Sequence, residues 1–172
     1  MTPDFGKLDI LVVADPLPLK MLIMPVLDEL GVGNIVSASN INEGFNLFRR
    51  HSPGLVITDW DMARASGVDL IKMIRRDATS PNQKAPVILL ANHETATKRV
   101  TPARDLGANG FLLKPFTADD LRTQIAAAVE DRREFIVSQQ FVGPNRREQT
   151  VPGYDGPRRR AADGKKDREI RV

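Results

Sequence analysis

The segment Gly-Leu-Val-Ile-Thr-Asp-Trp-Asp, residues 54–61, determines how the rest of the chain is interpreted. Four apolar or β-branched residues run directly into Asp59, and Asp61 follows two positions later. A short run of this kind, preceded by Pro53-Gly54, is typical of a strand buried on both faces. Ligands of open α/β sheets bind where strands end, so Asp59 is a candidate metal ligand or nucleophile. Taken alone, the segment fits equally well an aspartate that begins a loop and caps the next helix.

Strands and helices alternate on both sides of this segment. The apolar pattern predicts further strands at residues 8–13, 34–38, 86–91 and 110–113, and helices at residues 17–30, 42–50, 67–76, 95–106 and 117–129. Alternation at this spacing implies right-handed βαβ crossovers. The predicted fold is therefore α/β, a doubly wound five-stranded parallel sheet with helices on both faces.

Composition excludes several classes of protein. The 172 residues include no cysteine, so disulfides, thiolate metal sites and cysteine nucleophiles are excluded. The first residues lack a basic region followed by an apolar run, and no apolar run approaches the roughly 18 residues of a membrane span. We therefore expect a cytoplasmic protein that does not use a membrane as partner.

Charge divides the chain into two parts. Residues 1–131 contain 14 lysines and arginines against 16 aspartates and glutamates, a balance of −2, and residues 132–172 contain 11 against 6, a balance of +5. The hydrophobic pattern also ends near Asp131. These observations predict a folded domain over 1–131 and a basic, flexible tail over 132–172.

The tail contains a repeated motif of the form aromatic-x-Gly-Pro-x-Arg-Arg. The first motif covers residues 141–147 and the second covers residues 154–160. Gly-Pro favours a bend, the aromatic residue can anchor, and an arginine pair can bind carboxylate or phosphate. The candidate partner contacts are Phe141, Arg146, Arg147, Tyr154, Arg158 and Arg159. A solubilising basic tail and non-specific nucleic-acid contact are the alternatives, and no pattern predicts sequence-specific nucleic-acid binding.

The predicted topology brings the residues that end four strands to one edge of the sheet. They are Asp15, Asp59, Ala91 and Lys114. If they converge, two carboxylates would suit Mg²⁺ with water as the remaining ligands, and the lysine would attract phosphoryl oxygens. A carboxylate nucleophile in such a site would accept a phosphoryl group as an acyl phosphate.

Residues 8–129 resemble a bacterial response-regulator receiver domain. The matching segments are Ile-Leu-Val-Val-Ala-Asp (10–15), Leu-Val-Ile-Thr-Asp-Trp-Asp-Met (55–62), Ser-Gly (66–67), Pro-Val-Ile-Leu-Leu-Ala (86–91) and Gly-Ala-Asn-Gly-Phe-Leu-Leu-Lys-Pro-Phe (107–116). The resemblance implies a flavodoxin-like receiver fold with strand order 2-1-3-4-5. It also implies Asp59 as phospho-acceptor, Asp15, Asp59 and the backbone carbonyl of Asp61 as Mg²⁺ ligands, and Lys114 as the phosphate-binding residue, followed by a cis peptide bond.

Several positions depart from the family pattern. Ala14 replaces one of two acids after the first strand, which should weaken Mg²⁺ binding. Ala91 stands where the family has a serine or threonine hydroxyl that bonds the phosphoryl group. The second switch position is Phe111, an aromatic residue without a hydroxyl.

Three hypotheses about function follow. The first is a stand-alone receiver that accepts a phosphoryl group from a histidine kinase or phosphotransfer protein and signals through protein contacts. Such a protein would catalyse only its own phosphorylation and dephosphorylation and would not be a metabolic enzyme. The second is a pseudo-receiver adaptor without a working phosphoswitch, and the third is an arginine-rich tail that binds nucleic acid or an acidic partner.

Overall fold

A five-stranded parallel sheet forms the centre of the molecule. The computed structural model describes residues 4–15, 17–63, 65–96, 105, 107–138, 140–145 and 170–171. The strands of the sheet are β1 (Asp9–Val13), β2 (Asn34–Ala38), β3 (Leu55–Asp59), β6 (Val87–Asn92) and β7 (Gly110–Lys114). Their order, β2-β1-β3-β6-β7, confirms the expected topology. Between β3 and β6 the chain makes a small antiparallel hairpin of β4 (Asp61–Met62) and β5 (Ala65–Ser66).

Helices cover both faces of this sheet. Four of them have both ends within the described residues: α1 (Leu17–Glu29), α2 (Ile41–His51), α3 (Gly67–Arg76) and α4 (Ala118–Val129). Asn40, Ser66 and Thr117 cap the amino ends of α2, α3 and α4 with their side chains. The predicted helix over 95–106 falls largely outside the described residues, although residues 93–96 are helical. In the described part of the chain, no helix combines the length and apolar character that a membrane span requires.

The core consists of one apolar cluster on each face of the sheet. Successive residues of a strand point to opposite faces, so neighbours in β1 enter different clusters. Leu11 packs in the cluster that contains Phe48 of α2 and Ile71 of α3. Ile10 packs in the other cluster, with the buried sides of α1 and α4. All five residues of β3 are buried, so the strand that delivers Asp59 is held from both faces.

The chain does not become structureless after α4. Strand β8 (Phe135–Val137) pairs antiparallel with β9 (Val142–Pro144), and β10 (Ile170–Arg171) pairs with the other edge of β8. The domain boundary at residue 131 and the flexibility of the 132–172 segment stay predictions. Phe141, which we had assigned to partner contact, is only 6% exposed, so its ring is not available to a partner in this arrangement.

Candidate functional site

Asp59 and Lys114 meet across the carboxyl edge of the sheet. Asp59 ends β3, Lys114 ends β7, and β6 lies between these two strands. The Lys114 Nζ nevertheless lies 2.8 Å from Oδ1 and 2.9 Å from Oδ2 of Asp59. The two side chains therefore lean towards each other over the end of β6. This contact brings together residues 55 positions apart, as the predicted topology requires.

The site is asymmetric in its access to water. The Asp59 side chain is 1% exposed, whereas the Lys114 side chain is 21% exposed. Burial raises the pKa of Asp59 above its usual value of 3.8, and the hydrogen bond and positive charge of Lys114 oppose that rise. The Asp61 backbone N–H also donates to Asp59 Oδ1, at 3.3 Å. A carboxylate in this setting has one cation beside it and little water to compete for its lone pairs.

Asp15 emerges beside Asp59 because their strands are neighbours. Val13 of β1 pairs with Thr58 of β3, so Ala14 and Asp59 leave the two strands side by side. Asp15 is partly exposed and Ala14 is 1% exposed. Among the described residues, no three acidic or histidine side chains lie close enough to hold a metal by themselves. A metal here would need backbone carbonyl and water ligands in addition to carboxylates, which is how Mg²⁺ is usually bound.

The side chain of Asp61 is held by residues that our sequence reasoning did not assign. Its Oδ2 accepts hydrogen bonds from Asn92 Nδ2 at 3.2 Å and from Thr95 Oγ1 at 2.9 Å. Asn92 ends β6 and Thr95 lies in the helical turn that follows. The sequence offered one signal, the amide of Asn92 directly after Ala91. The carboxylate of Asp61 thus connects the loop after β3 to the segment after β6.

A glycine lets helix α3 approach β3. A Cβ on Gly67 would lie 2.1 Å from the Asp59 carbonyl oxygen and 2.9 Å from Thr58 Oγ1, both far inside normal contact. Only glycine fits without moving the backbone at this point. The Gly67 N–H also donates to the Trp60 carbonyl at 3.2 Å. The Ser66-Gly67 pair, first noted as a motif, therefore fixes the backbone that follows Asp59.

Of the two positions predicted to act in switching, Ala91 lies near the carboxyl end of β6 and Phe111 lies second in β7, and neither side chain is polar. Ala91 is 2% exposed and packs in the same apolar cluster as Trp60. Phe111, on β7, is partly buried against that cluster. The peptide bond between Lys114 and Pro115 is cis, as the resemblance implied. Ala91 offers no hydroxyl, and the nearby polar groups of Asn92 and Thr95 contact Asp61 instead of Asp59.

The tail residues assigned to partner contact divide into two groups. Phe141 is described and buried in the hairpin region. The remaining five, Arg146, Arg147, Tyr154, Arg158 and Arg159, lie outside the described residues. Their role stays a prediction.

Comparison with known proteins agrees with this geometry. Residues 10–126 match the response regulator receiver domain family. A probable chemotaxis protein CheY of Rhizobium etli is 30% identical over 121 residues, which cover 70% of this chain and 92% of that protein. The chain belongs to the response regulator receiver family. Chemotaxis protein CheY-3 of Vibrio cholerae is 29% identical over 119 residues, 69% of this receiver and 89% of its own length.

A solved structure shows the same architecture. The response regulator receiver domain protein from Clostridium thermocellum superposes with a TM-score of 0.62 at 30% identity, covering 71% of this receiver and 94% of that chain. The protein is thus a response regulator of two-component phosphorelay signalling. Receiver domains interact with histidine kinases or phosphotransfer proteins, and they typically bind Mg²⁺ where they are phosphorylated.

Proposed function

We propose that Asp59 accepts a phosphoryl group from a sensor histidine kinase or phosphotransfer protein, and that the output passes through protein contacts. The observation that carries the proposal is the contact between the buried Asp59 carboxylate and the Lys114 ammonium. A carboxylate oxygen can attack phosphorus only in its ionised form. Lys114 favours that form, while burial removes the water that would otherwise hydrate the nucleophile.

The transfer step uses these two side chains in sequence. An oxygen of Asp59 forms a bond to phosphorus as the bond from phosphorus to the donor nitrogen breaks, and the electron pair of that bond stays on nitrogen. The product is an acyl phosphate on Asp59. The Lys114 ammonium, already 2.8 Å from the carboxylate, then faces phosphoryl oxygens that carry more negative charge than the carboxylate did. We propose no metabolic reaction, only this self-phosphorylation and the hydrolysis of the acyl phosphate, which restores the Asp59 carboxylate and releases inorganic phosphate.

The residues present fit a magnesium ion. Asp15, Asp59 and the Asp61 carbonyl would supply two carboxylates and one neutral oxygen, a hard donor set that suits Mg²⁺ with water ligands. When bound, the ion would supply positive charge that screens Asp59 from an incoming phosphoryl group. Because Ala14 contributes no oxygen, we expect weaker Mg²⁺ binding than in a receiver with a further acid there.

Incubation with a small phosphodonor and Mg²⁺, followed by intact-mass measurement, tests the proposal. We expect the mass to increase by one phosphoryl group in the native chain and to stay unchanged in Asp59→Asn, which preserves shape but removes the nucleophile. A native chain that gains no mass from the donor, or from a histidine kinase that phosphorylates other receivers, would show that the fold serves as an adaptor.

The proposal also requires a downstream protein that binds the phosphorylated chain. A pull-down that compares the full chain with a chain ending at Asn145 tests whether residues 146–172 contribute to binding. The cut belongs after Asn145 because the preceding strands pack on the body. Loss of a phosphorylation-dependent partner only in the shortened chain would assign the contact to the basic segment.

A further inference from the structure

The first motif of the tail is docked on the amino edge of the sheet, opposite the phosphorylation site. Its aromatic residue, Phe141, is buried, as are Gly143 and Pro144. It rests on a surface formed by Arg75, Gly107 and strand β8, here named the Gly107 groove. Gly107 precedes β7, so this groove lies at the end of the sheet remote from Asp59.

Two facing glycines define the groove and its ligand. A Cβ on Gly107 would lie 2.2 Å from the Val142 carbonyl oxygen, and its φ of +80° also favours glycine. A Cβ on Gly143 would lie 2.4 Å from the Gly107 Cα and 3.0 Å from the Phe141 ring. The motif glycine therefore makes room both for the groove and for the aromatic ring two positions earlier. This explains the spacing aromatic-x-Gly in physical terms.

Backbone groups of the docked motif make further contacts. Residues 142–144 pair with residues 135–137, and the Asn145 N–H donates to the Glu134 carbonyl at 2.8 Å. Backbone bonds do not depend on side-chain identity. A segment with an aromatic residue, a glycine two positions later and a proline next can offer the same backbone groups and the same space at the glycine.

The second motif supplies this pattern a second time. Tyr154, Gly156 and Pro157 correspond to Phe141, Gly143 and Pro144. We propose that the Gly107 groove is a receptor for both motifs of the same chain, and that the second motif occupies it whenever the first is withdrawn. The chain then has two ligands for one groove, so one motif is always free for a partner while the groove stays filled.

The position that differs most between the motifs faces open space. Val142, which Asp155 would replace, is partly exposed and lines an open cavity of about 590 Å³. The basic side chains of Lys72 and Arg76 line the same cavity, together with Asp77 and Asp105. An aspartate at this point would enter a polar, charged space, not the core.

Chain length sets the preference between the motifs. Four residues, 138–141, separate β8 from Val142, whereas 17 residues, 138–154, would separate it from Asp155. Loop closure then favours the first motif by roughly tenfold. The segment 146–169 is joined to β9 at one end and to β10, which pairs with β8, at the other. Both tethers keep the second motif at a high effective concentration near the groove.

A pair of glycine substitutions tests the proposal in the full chain. Gly156→Val should leave the midpoint of thermal unfolding unchanged in the native background, where the first motif fills the groove. In a Gly143→Val background the same change should lower the midpoint by a further few degrees, because neither motif then fits. Phe141→Ala, which removes the anchor without a clash, provides a second background if Gly143→Val does not fold.

Three results would overturn the proposal. Gly156→Val could be neutral in both backgrounds, which would make the groove specific for the first motif. It could instead lower the native midpoint, which would give the second motif a different site. A decrease in the unfolding midpoint that varies with protein concentration would show that the second motif binds the groove of another copy of the chain. As a direct measure, a peptide of residues 152–161 should bind the Gly143→Val, Gly156→Val chain by calorimetry, and the same peptide with Gly156→Val should not.

Discussion

At the scale of single residues, Asp59 is held between two opposing effects. Burial favours its neutral form, and the ammonium of Lys114 favours its charged form. The net pKa lies above 3.8, so burial outweighs the pair. The two effects act on the same carboxylate, so the stability of the protein should depend on the charge of Asp59.

The raised pKa of Asp59 predicts a pH dependence of stability. Between 3.8 and the raised value the folded state binds more protons than the unfolded state, so native stability falls as pH rises through this window. Asp59→Asn removes that ionisation, and Lys114 lacks a charged partner in both proteins at low pH. We therefore expect the variant to gain stability relative to the native chain as pH rises from below 3.8 towards 7. Urea unfolding followed by the fluorescence of Trp60, the single tryptophan, measures this difference.

The opposite sign would contradict this account. If the native chain gains stability relative to Asp59→Asn as the pH rises, the ion pair with Lys114 affects the pKa of Asp59 more than burial does. A matched variant at an exposed acid, Asp119→Asn, should show no change of the same sign and size across this range.

Ala14 provides a second prediction at this scale. Ala14→Asp places a further carboxylate beside Asp15 and Asp59, at a position that is 1% exposed. Without Mg²⁺, repulsion and burial should lower the free energy of unfolding by about 1–2 kcal/mol. With Mg²⁺, the variant should gain more stability than the native chain, because tighter binding adds more to the folded state. Melting temperatures in a Mg²⁺ titration measure both effects.

An isosteric control separates charge from volume in this experiment. Ala14→Asn adds nearly the same volume but no charge, so its melting temperature should respond to Mg²⁺ as the native chain does. An equal response of the aspartate and asparagine variants would mean that no metal ligand forms at position 14.

At the scale of elements, a buried arginine joins α3 to the two loops that precede β6 and β7. Arg75 is 2% exposed and donates to the carbonyls of Gln83, Ala85 and Gly107. Burial lowers its pKa to about 9, so it remains charged at neutral pH. Its guanidinium also lies over the Phe135 ring of β8, at 5.3 Å. One side chain therefore supports both the sheet edge and the docked hairpin.

Removing the guanidinium group of Arg75 should destabilise the protein. Arg75→Met keeps most of the volume but leaves three carbonyl oxygens without this donor, so we expect a loss of about 3 kcal/mol of unfolding free energy. Arg50→Met, at an exposed position near the end of α2, should change it by less than about 0.5 kcal/mol. Chemical denaturation of the two variants measures the difference. If both variants change the free energy of unfolding equally, the buried hydrogen bonds of Arg75 contribute little to stability.

Local pattern predicted the elements whose signals are local. The apolar runs of β3 and β6 located their strands within one or two residues, and the helix predicted over 117–129 was found at Ala118–Val129. The hairpin of β8 and β9 was not predicted, because three-residue strands have no periodicity to detect. Its docking requires a glycine at position 107, which is 36 positions away from Gly143 in the sequence. The burial of Arg75 had no local signal either.

The candidate site shows the same division. The pairing of Asp59 with Lys114 followed from topology alone, because the carboxyl ends of parallel strands share one edge. The contacts of Asp61 with Asn92 and Thr95 depend on how two loops approach each other. Loop approach is set by packing over the whole edge, which no single segment of sequence encodes.

At the scale of the molecule, the two edges of the sheet have different tasks. The carboxyl edge holds Asp59 and Lys114, and the amino edge holds the Gly107 groove with the docked hairpin. The hairpin of β8 and β9 therefore does not cover Asp59. Strand β7 serves both edges, because Lys114 lies at its carboxyl end and Gly107 precedes its amino end.

This separation predicts that the hairpin affects stability but not phosphorylation. Phe135→Ala removes the ring that lies beneath Arg75 and Lys84 and should lower the free energy of unfolding by about 1–3 kcal/mol. The initial rate of phosphorylation by a small donor should stay within about twofold of the native rate, because no group at the carboxyl edge of the sheet moves. Val137→Ala, on the same strand but exposed, controls for the strand itself and should change neither quantity measurably.

The rates should be measured by intact mass at a temperature well below the melting point, so that unfolding does not affect the comparison. A rate that falls in proportion to stability across these variants would mean that the two edges are energetically coupled, and the hairpin would then belong to the signalling mechanism itself.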